Sequence, residues 1–158
     1  MGGTVYHPRI RAAFGGRQRA GGRATVSVKE DIELVRRGYE AFIAGDMVWL
    51  DEHFHKNIVW HVPGHSFLSG THRGRDNVVA FLIRMVKTAL PEFDLHDVLG
   101  SEDHVVVLAN ITWRRQDNGE TFSGRTATVF HLDAGRVIEV WALDEDPQGF
   151  DEFVEGAT

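Results

Sequence analysis

From Val105 to Trp113 every second residue is apolar, so Val105, Val107, Ala109, Ile111 and Trp113 share one face of an extended chain. On a helix the same residues would scatter round the axis, and the run therefore predicts a strand with one buried face. The intervening Asn110, Thr112 and Arg114 are polar, but Val106 and Leu108 are not. The second face is expected to be partly covered as well. With Trp141 on the last strand, Val106 and Leu108 predict a homodimer formed through the outer sheet face, because exposed apolar patches usually mark an interface.

The same period of two recurs downstream. Strands are expected from Thr121 to Leu132 and from Arg136 to Leu143, with turns at Asp117-Asn118-Gly119 and Asp133-Ala134-Gly135. Upstream the period is helical. Ser27 and Glu30 form a capping box ahead of Val28, Ile32, Val35, Tyr39, Phe42 and Ile43, and Gly45 stops that helix. Asp46 caps a short second helix running through Met47, Trp49 and Leu50 to Phe54, and Ile58 to Val62 reads as a strand stopped by Pro63-Gly64. Residues 63–74 read as a loop, after which Asp76 is expected to cap a third helix ended by Pro91. This order predicts an α+β fold with three helices gathered on one side of an antiparallel sheet.

A chain of 158 residues can bury one core without staples, so a single domain is expected. The absence of cysteine excludes disulfides, thiolate nucleophiles and cysteine-held metal clusters, and it fits a reducing, cytoplasmic location. The net charge of -6 is unevenly spread, since residues 1–26 carry five arginines and no acid. The rest of the chain is strongly acidic, which argues against a nucleic-acid partner. No apolar run is long enough to span a membrane, so no membrane partner is expected either. Residues 1–26 lack apolar periodicity and are broken by glycine pairs, and are expected to form a disordered, dispensable extension to a domain covering 27–158.

The wording AGD after the first helix, NIVWHVPG, LSGTHRGRD leading into a helix, and GRVIEVWALDEDPQGFDEF at the end resembles the SnoaL-like, ketosteroid isomerase-like branch of the nuclear transport factor 2 superfamily. The resemblance covers about Val28 to Phe153. It implies a cone, a curled sheet packed on the helices with an apolar pocket for a small hydrophobic molecule, and proton-transfer chemistry without a cofactor. The superfamily includes steroid isomerases, polyketide cyclases, limonene epoxide hydrolase and scytalone dehydratase. A fold hosts many reactions, so the site decides among them. The isomerase's aspartate base corresponds here to Val62, its oxyanion tyrosine to Gly38 with Tyr39 one residue off, and its protonated aspartate to Thr128 before Phe130. Steroid isomerisation by that mechanism is therefore not expected.

The same matching and strand alternation send Trp60, Val62, Ile111, Trp113, Thr128 and Phe130 into the pocket, with Phe81 reaching it from the third helix. Asp144 is the acid that alternation aims inward, and a carboxyl beside apolar groups holds its proton more tightly and can act as general acid or base near neutral pH. The alternative is that Asp144, Glu145 and Asp146 form a solvated strand end. His61 is the second candidate base, since imidazole exchanges protons near pH 7. Strict alternation turns it outward unless a bulge near Pro63 rotates the chain. The histidines His53, His55, His61, His65 and His72 cluster in sequence without a metal-binding spacing, so no metal is expected. Two functions stay open: a cofactor-independent isomerase, cyclase or hydrolase acting on an apolar carbonyl or polyketide-like compound, and a non-catalytic ligand-binding or dimerisation module.

Overall fold

A computed structural model describes residues 26–156. Of the N-terminal extension only Val26 falls among them; the rest lies outside the described residues. The chain runs α1 (Val28–Ala44), α2 (Met47–His53), β1 (Phe54–Val62), β2 (Gly70–Arg73), α3 (Arg75–Thr88), β3 (Ala89–Gly100), β4 (His104–Arg115), β5 (Thr121–Asp133), β6 (Arg136–Asp144) and α4 (Pro147–Glu155). The strands form one sheet in the order β2-β1-β6-β5-β4-β3. The α+β cone expected from the sequence is the observed architecture, with two corrections. There are four helices among the described residues rather than three, and the sheet is mixed, because β1 runs parallel to β6 while the other neighbours are antiparallel.

Local chemistry accounts for the boundaries. Ser27 Oγ accepts from the Glu30 amide at 3.2 Å while the Ser27 amide donates to Glu30 Oε2 at 2.7 Å, which satisfies two amides at the start of α1. Gly45 closes the helix in the left-handed region at φ 71°, and Asp46 caps α2 by accepting from the Trp49 amide at 3.0 Å. Asp76 does not cap α3. It lies in the first turn, and Gly74 precedes the helix at φ 85° with no side-chain cap. Ala89, not Pro91, ends α3, because the chain is already extended there and pairs with Arg115.

The long strands β3, β4 and β5 supply most of the sheet, with Val105, Val107, Ala109, Ile111 and Trp113 buried and their neighbours half-buried or exposed. Helices α1 and α3 pack on that inner face, α1 against β3 and β4 and α3 against β1, β2 and β3. Ile43, expected in the core, is 58% exposed, because it lies about 100° round the helix from Phe42, whose ring meets Phe93 on β3. The fourth helix is held by its polar groups. Asp146 Oδ1 accepts from the Gly149 amide at its start, and the buried Arg115 donates to the Phe153 carbonyl at 3.0 Å near its end. Between them, Phe150, Phe153 and Val154 bury one side of α4 at a three-to-four-residue spacing.

Candidate functional site

The concave face of the sheet and the helices enclose a cavity of about 140 Å³. Alternation on three strands builds its wall. Trp60 and Val62 enter from β1, Ile111 and Trp113 from β4, Thr128 and Phe130 from β5, and Phe81 from α3. Tyr39 enters from α1, and the three positions matched to the isomerase residues, Gly38, Val62 and Thr128, all line the space. Asp144, at the end of β6, lines it too. Sequence reading missed Phe42, Trp49, Phe93, Phe122, Thr126 and Phe150 on the wall. Parity on β5 carried the signal for Phe122 and Thr126, which share a face with Thr128 and Phe130.

The polar groups gather on one side. Thr126 and Asp144 are register partners on adjacent strands, and their side chains are hydrogen-bonded. The Tyr39 hydroxyl is hydrogen-bonded to the Thr128 side chain. Burial pushes the Tyr39 phenol up to about 12, so it keeps its hydrogen and can donate it at any physiological pH. Burial also raises the pKa of the Asp144 carboxyl, and the opposing hydrogen bond from Thr126 does not cancel that rise. Glu145, one residue on, is shifted the other way by its hydrogen bond with the exposed Arg125. Both carboxyls line the cavity, but Glu145 is exposed and bonded to Arg125 as at a solvated strand end, whereas Asp144 is half-buried against the apolar wall. Environments that push two carboxyls apart are what acid and base roles require.

His61 is not in the cavity. Its Nε2 donates to Glu139 Oε1 at 2.7 Å, its Nδ1 lies 3.2 Å from Thr71 Oγ1, and its ring stacks 5.8 Å from Trp141 on the outer face. The irregularity in β1 falls between Phe54 and Val59, upstream of the histidine, and pairing with β2 runs unbroken from Val59 to Val62. With no bulge near Pro63, alternation turns His61 away from Trp60 and Val62. Three of the other clustered histidines have local partners: His53 Nδ1 is 2.7 Å from the Trp49 carbonyl oxygen, His55 Nδ1 accepts from the Asn57 amide at 3.1 Å, and His72 Nε2 donates to the Leu68 carbonyl at 3.0 Å.

A further acid organises the approach to β2. Asp151 on α4, 8% exposed, accepts from the His65 amide at 2.6 Å, the Ser66 amide at 3.1 Å and Ser69 Oγ at 3.2 Å. The loop between β1 and β2 is thereby fastened to α4 beside the cavity.

The SnoaL-like domain family matches residues 35–140. An uncharacterized protein of Mycobacterium tuberculosis strain H37Rv, Rv0034, is 33% identical over 125 residues, or 78% of this chain and 95% of that protein. The structure of Bal32a, from a soil-derived mobile gene cassette, is 35% identical with a TM-score of 0.73, covering 80% of this chain and 97% of that one. An epoxide hydrolase of Mycobacterium tuberculosis, described as LEH-like, shares the fold at 18% identity and a TM-score of 0.67, over 82% of this chain and 92% of that one. The chain belongs to the SnoaL-like family of the nuclear transport factor 2 superfamily.

Proposed function

We propose that the cavity binds a small, largely apolar carbonyl compound and that Asp144 moves a proton to or from it without a cofactor. The observation that carries this reading is the half-buried Asp144 carboxyl on a mostly apolar wall, its proton affinity raised by burial and its neighbour Glu145 shifted the opposite way. As a base, Asp144 would take a proton from the carbon next to the carbonyl, forming an enol or enolate. Tyr39, protonated and facing the same space, would donate to the oxygen on which charge develops. Isomerisation, cyclisation and dehydration all begin from such a step.

Exchange of that carbon-bound hydrogen for deuterium needs no knowledge of the product. A panel of small cyclic and aryl ketones in D2O, followed by NMR, should show exchange accelerated by the protein. Asp144→Asn should slow it about 100-fold, the usual size of a general acid–base contribution. Ketones that bind saturably but exchange no faster than in buffer would remove the catalytic reading and leave a ligand-binding module.

The outer face of the sheet supports a partner reading. Leu99, Val106, Val129 and Trp141 lie side by side across four strands, with Leu108, Ala127 and Leu143 in the next row. Leu99 and Leu143 are 51% and 56% exposed. The occupant we propose is a second copy. A twofold axis lying across the strands would lay this apolar row on its own copy, with the Glu139–His61 and Arg125–Glu145 pairs at opposite ends brought face to face, which supports a self-complementary surface. Sedimentation at about 10 µM, a concentration that populates interfaces of modest affinity, should give twice the chain mass. Trp141→Glu should give a monomer, and a wild-type monomer would refute the proposal.

A further inference from the structure

The cavity limits what can enter it. An apolar cavity of about 150 Å³ in another protein accommodates benzene, and the space here is about 140 Å³. A steroid-sized skeleton, with several times the atoms of benzene, is enclosed only if the walls move apart, and otherwise lies partly outside the cavity's open mouth. The walls are built to resist that movement. Trp60, Phe130, Tyr39, Phe93 and Trp113 form a continuous chain of near-perpendicular ring contacts, with centroids 6.3, 6.0, 5.0 and 6.3 Å apart in that order. Each ring holds the orientation of the next, so widening the cavity at one point breaks edge-to-face contacts along the chain.

The chemistry of the wall is as restrictive as its size. Polar groups lie along one edge, where Tyr39 meets Thr128 and Asp144 meets Thr126. Arg125, Glu145 and Asp146 adjoin that edge in sequence, and the remaining surface is mostly rings and aliphatic groups, with indole N–H groups as donors but few acceptors. A ligand with polar groups at both ends would leave one of them unpaired against Phe81 or Phe130, and an unpaired buried polar group is costly. A ligand with no polar group would make no hydrogen bond to the Tyr39 hydroxyl beyond the one that group already makes with Thr128.

We propose that the site is selective for a flat molecule of about one ring, apolar except for a single oxygen-bearing edge that accepts a hydrogen bond from Tyr39. This rests on the cavity being the ligand site, as in the proposed function, but does not require turnover. The substrate class is thus an aryl or cyclic monoketone or a similar small carbonyl compound, and a steroid or multi-ring polyketide exceeds the space and is disfavoured because part of it would remain outside the apolar wall.

Three probes separate the elements of the claim in calorimetric titrations of the full chain: acetophenone, ethylbenzene as the same shape without the oxygen, and androstenedione as the large ketone. Acetophenone should bind saturably and at least tenfold more tightly than androstenedione. Ethylbenzene should bind about fivefold more weakly than acetophenone, the difference made by one neutral hydrogen bond. In Tyr39→Phe, which keeps the ring and its edge contacts, the preference for acetophenone over ethylbenzene should shrink to within about twofold while ethylbenzene binding is retained. Androstenedione binding as tightly as acetophenone overturns the size limit, and an undiminished preference in Tyr39→Phe overturns the role of the phenol. Binding of none of the three overturns the substrate class. The wild-type comparison stands even where the variant fails to fold. Acetophenone that binds as expected but shows no deuterium exchange leaves the size class intact and removes only the proton-transfer reading. Exchange confined to larger ketones does the reverse.

Discussion

Removing the Asp151 carboxylate tests whether the loop between β1 and β2 is held by one buried charge. In Asp151→Ala the His65 amide loses the acceptor 2.6 Å away, while the Ser66 amide keeps the Ser69 hydroxyl at 3.0 Å. Hydrogen bonds to a charged group contribute about 1.5–3 kcal/mol each, but with a substitute acceptor for one of the three donors the expected loss is about 3 kcal/mol. For a domain of this size that lowers the melting temperature by about 10 °C. The loss should depend on pH. Burial alone pushes the Asp151 carboxyl up, but the hydrogen bonds from His65, Ser66 and Ser69 outweigh it and hold the group below its ordinary value. The folded state therefore prefers the ionised form. Its contribution is complete above about pH 4, where the unfolded carboxyl is ionised, and disappears as the pH falls through the lower folded value. The gap between wild type and variant in denaturant unfolding should be full at pH 7 and narrow below pH 4. Gly64 provides an internal control. It sits at φ 95°, and a Cβ there would lie 2.5 Å from Asp151 Oδ1, so Gly64→Ala should be less harmful when Asp151 is already alanine. A variant within about 0.5 kcal/mol of wild type at pH 7, the size of an ordinary surface change, or a gap that stays constant down to pH 3, would refute the reasoning.

Two further substitutions address the hairpins. Ala134 at φ 51° precedes Gly135 at φ 74° in the turn between β5 and β6. Asn tolerates such a conformation better, so Ala134→Asn should raise stability by about 0.5–1 kcal/mol, read as a melting temperature higher by a few degrees. Arg115, with 2% of its side chain exposed, bonds Asp117 and the Phe153 carbonyl, so Arg115→Met should cost about 2–3 kcal/mol and release α4, measured as faster amide exchange at Phe153 and Val154 than at β4.

How much of this was legible depended on whether a residue's neighbours were close in sequence. The inward set on β4 was readable because a buried face imposes strict alternation, and the start of α1 because a capping box is a four-residue pattern. The strand Gly70–Arg73 was not readable: it is a short edge, exposed or half-buried throughout, so no apolar period marks it. The parallel pairing of β1 with β6 joins residues about 80 positions apart, such as Trp60 with Val140, and nothing in either strand alone specifies its partner. Helix α4 did carry a signal, Asp146-Pro147 followed by Phe150, Phe153 and Val154, at a spacing that start and period rules recognise. In the site, alternation placed Asp144 and Trp60 correctly and already pointed His61 outward. What it could not show was that Tyr39 reaches Thr128 across the cavity, because that contact joins a helix to a strand through the fold.

Asp144 is shifted in the opposite sense to Asp151, and the consequence for stability is opposite as well. Its raised pKa means that the folded state binds the proton more tightly than the unfolded chain does. The wild type therefore has its full stability below about pH 4, where the carboxyl is protonated in both states. It loses stability as the pH rises through the raised folded value, because a charge must then be held against an apolar wall. Asp144→Asn carries no such charge at any pH. The variant should match the wild type at pH 3 and be more stable at pH 7 by about 0.5–2 kcal/mol, the range commonly released when a functional-site residue is replaced. Denaturant unfolding at the two pH values measures it. If Asp144→Asn is less stable than wild type at pH 7, the hydrogen bond from Thr126 outweighs the desolvation, and the carboxylate is a structural group. If the variant is more stable and also loses deuterium exchange, the same side chain that weakens the fold performs the chemistry. That combination of a gain in stability with a loss of exchange is the outcome that separates a functional carboxyl from a structural one.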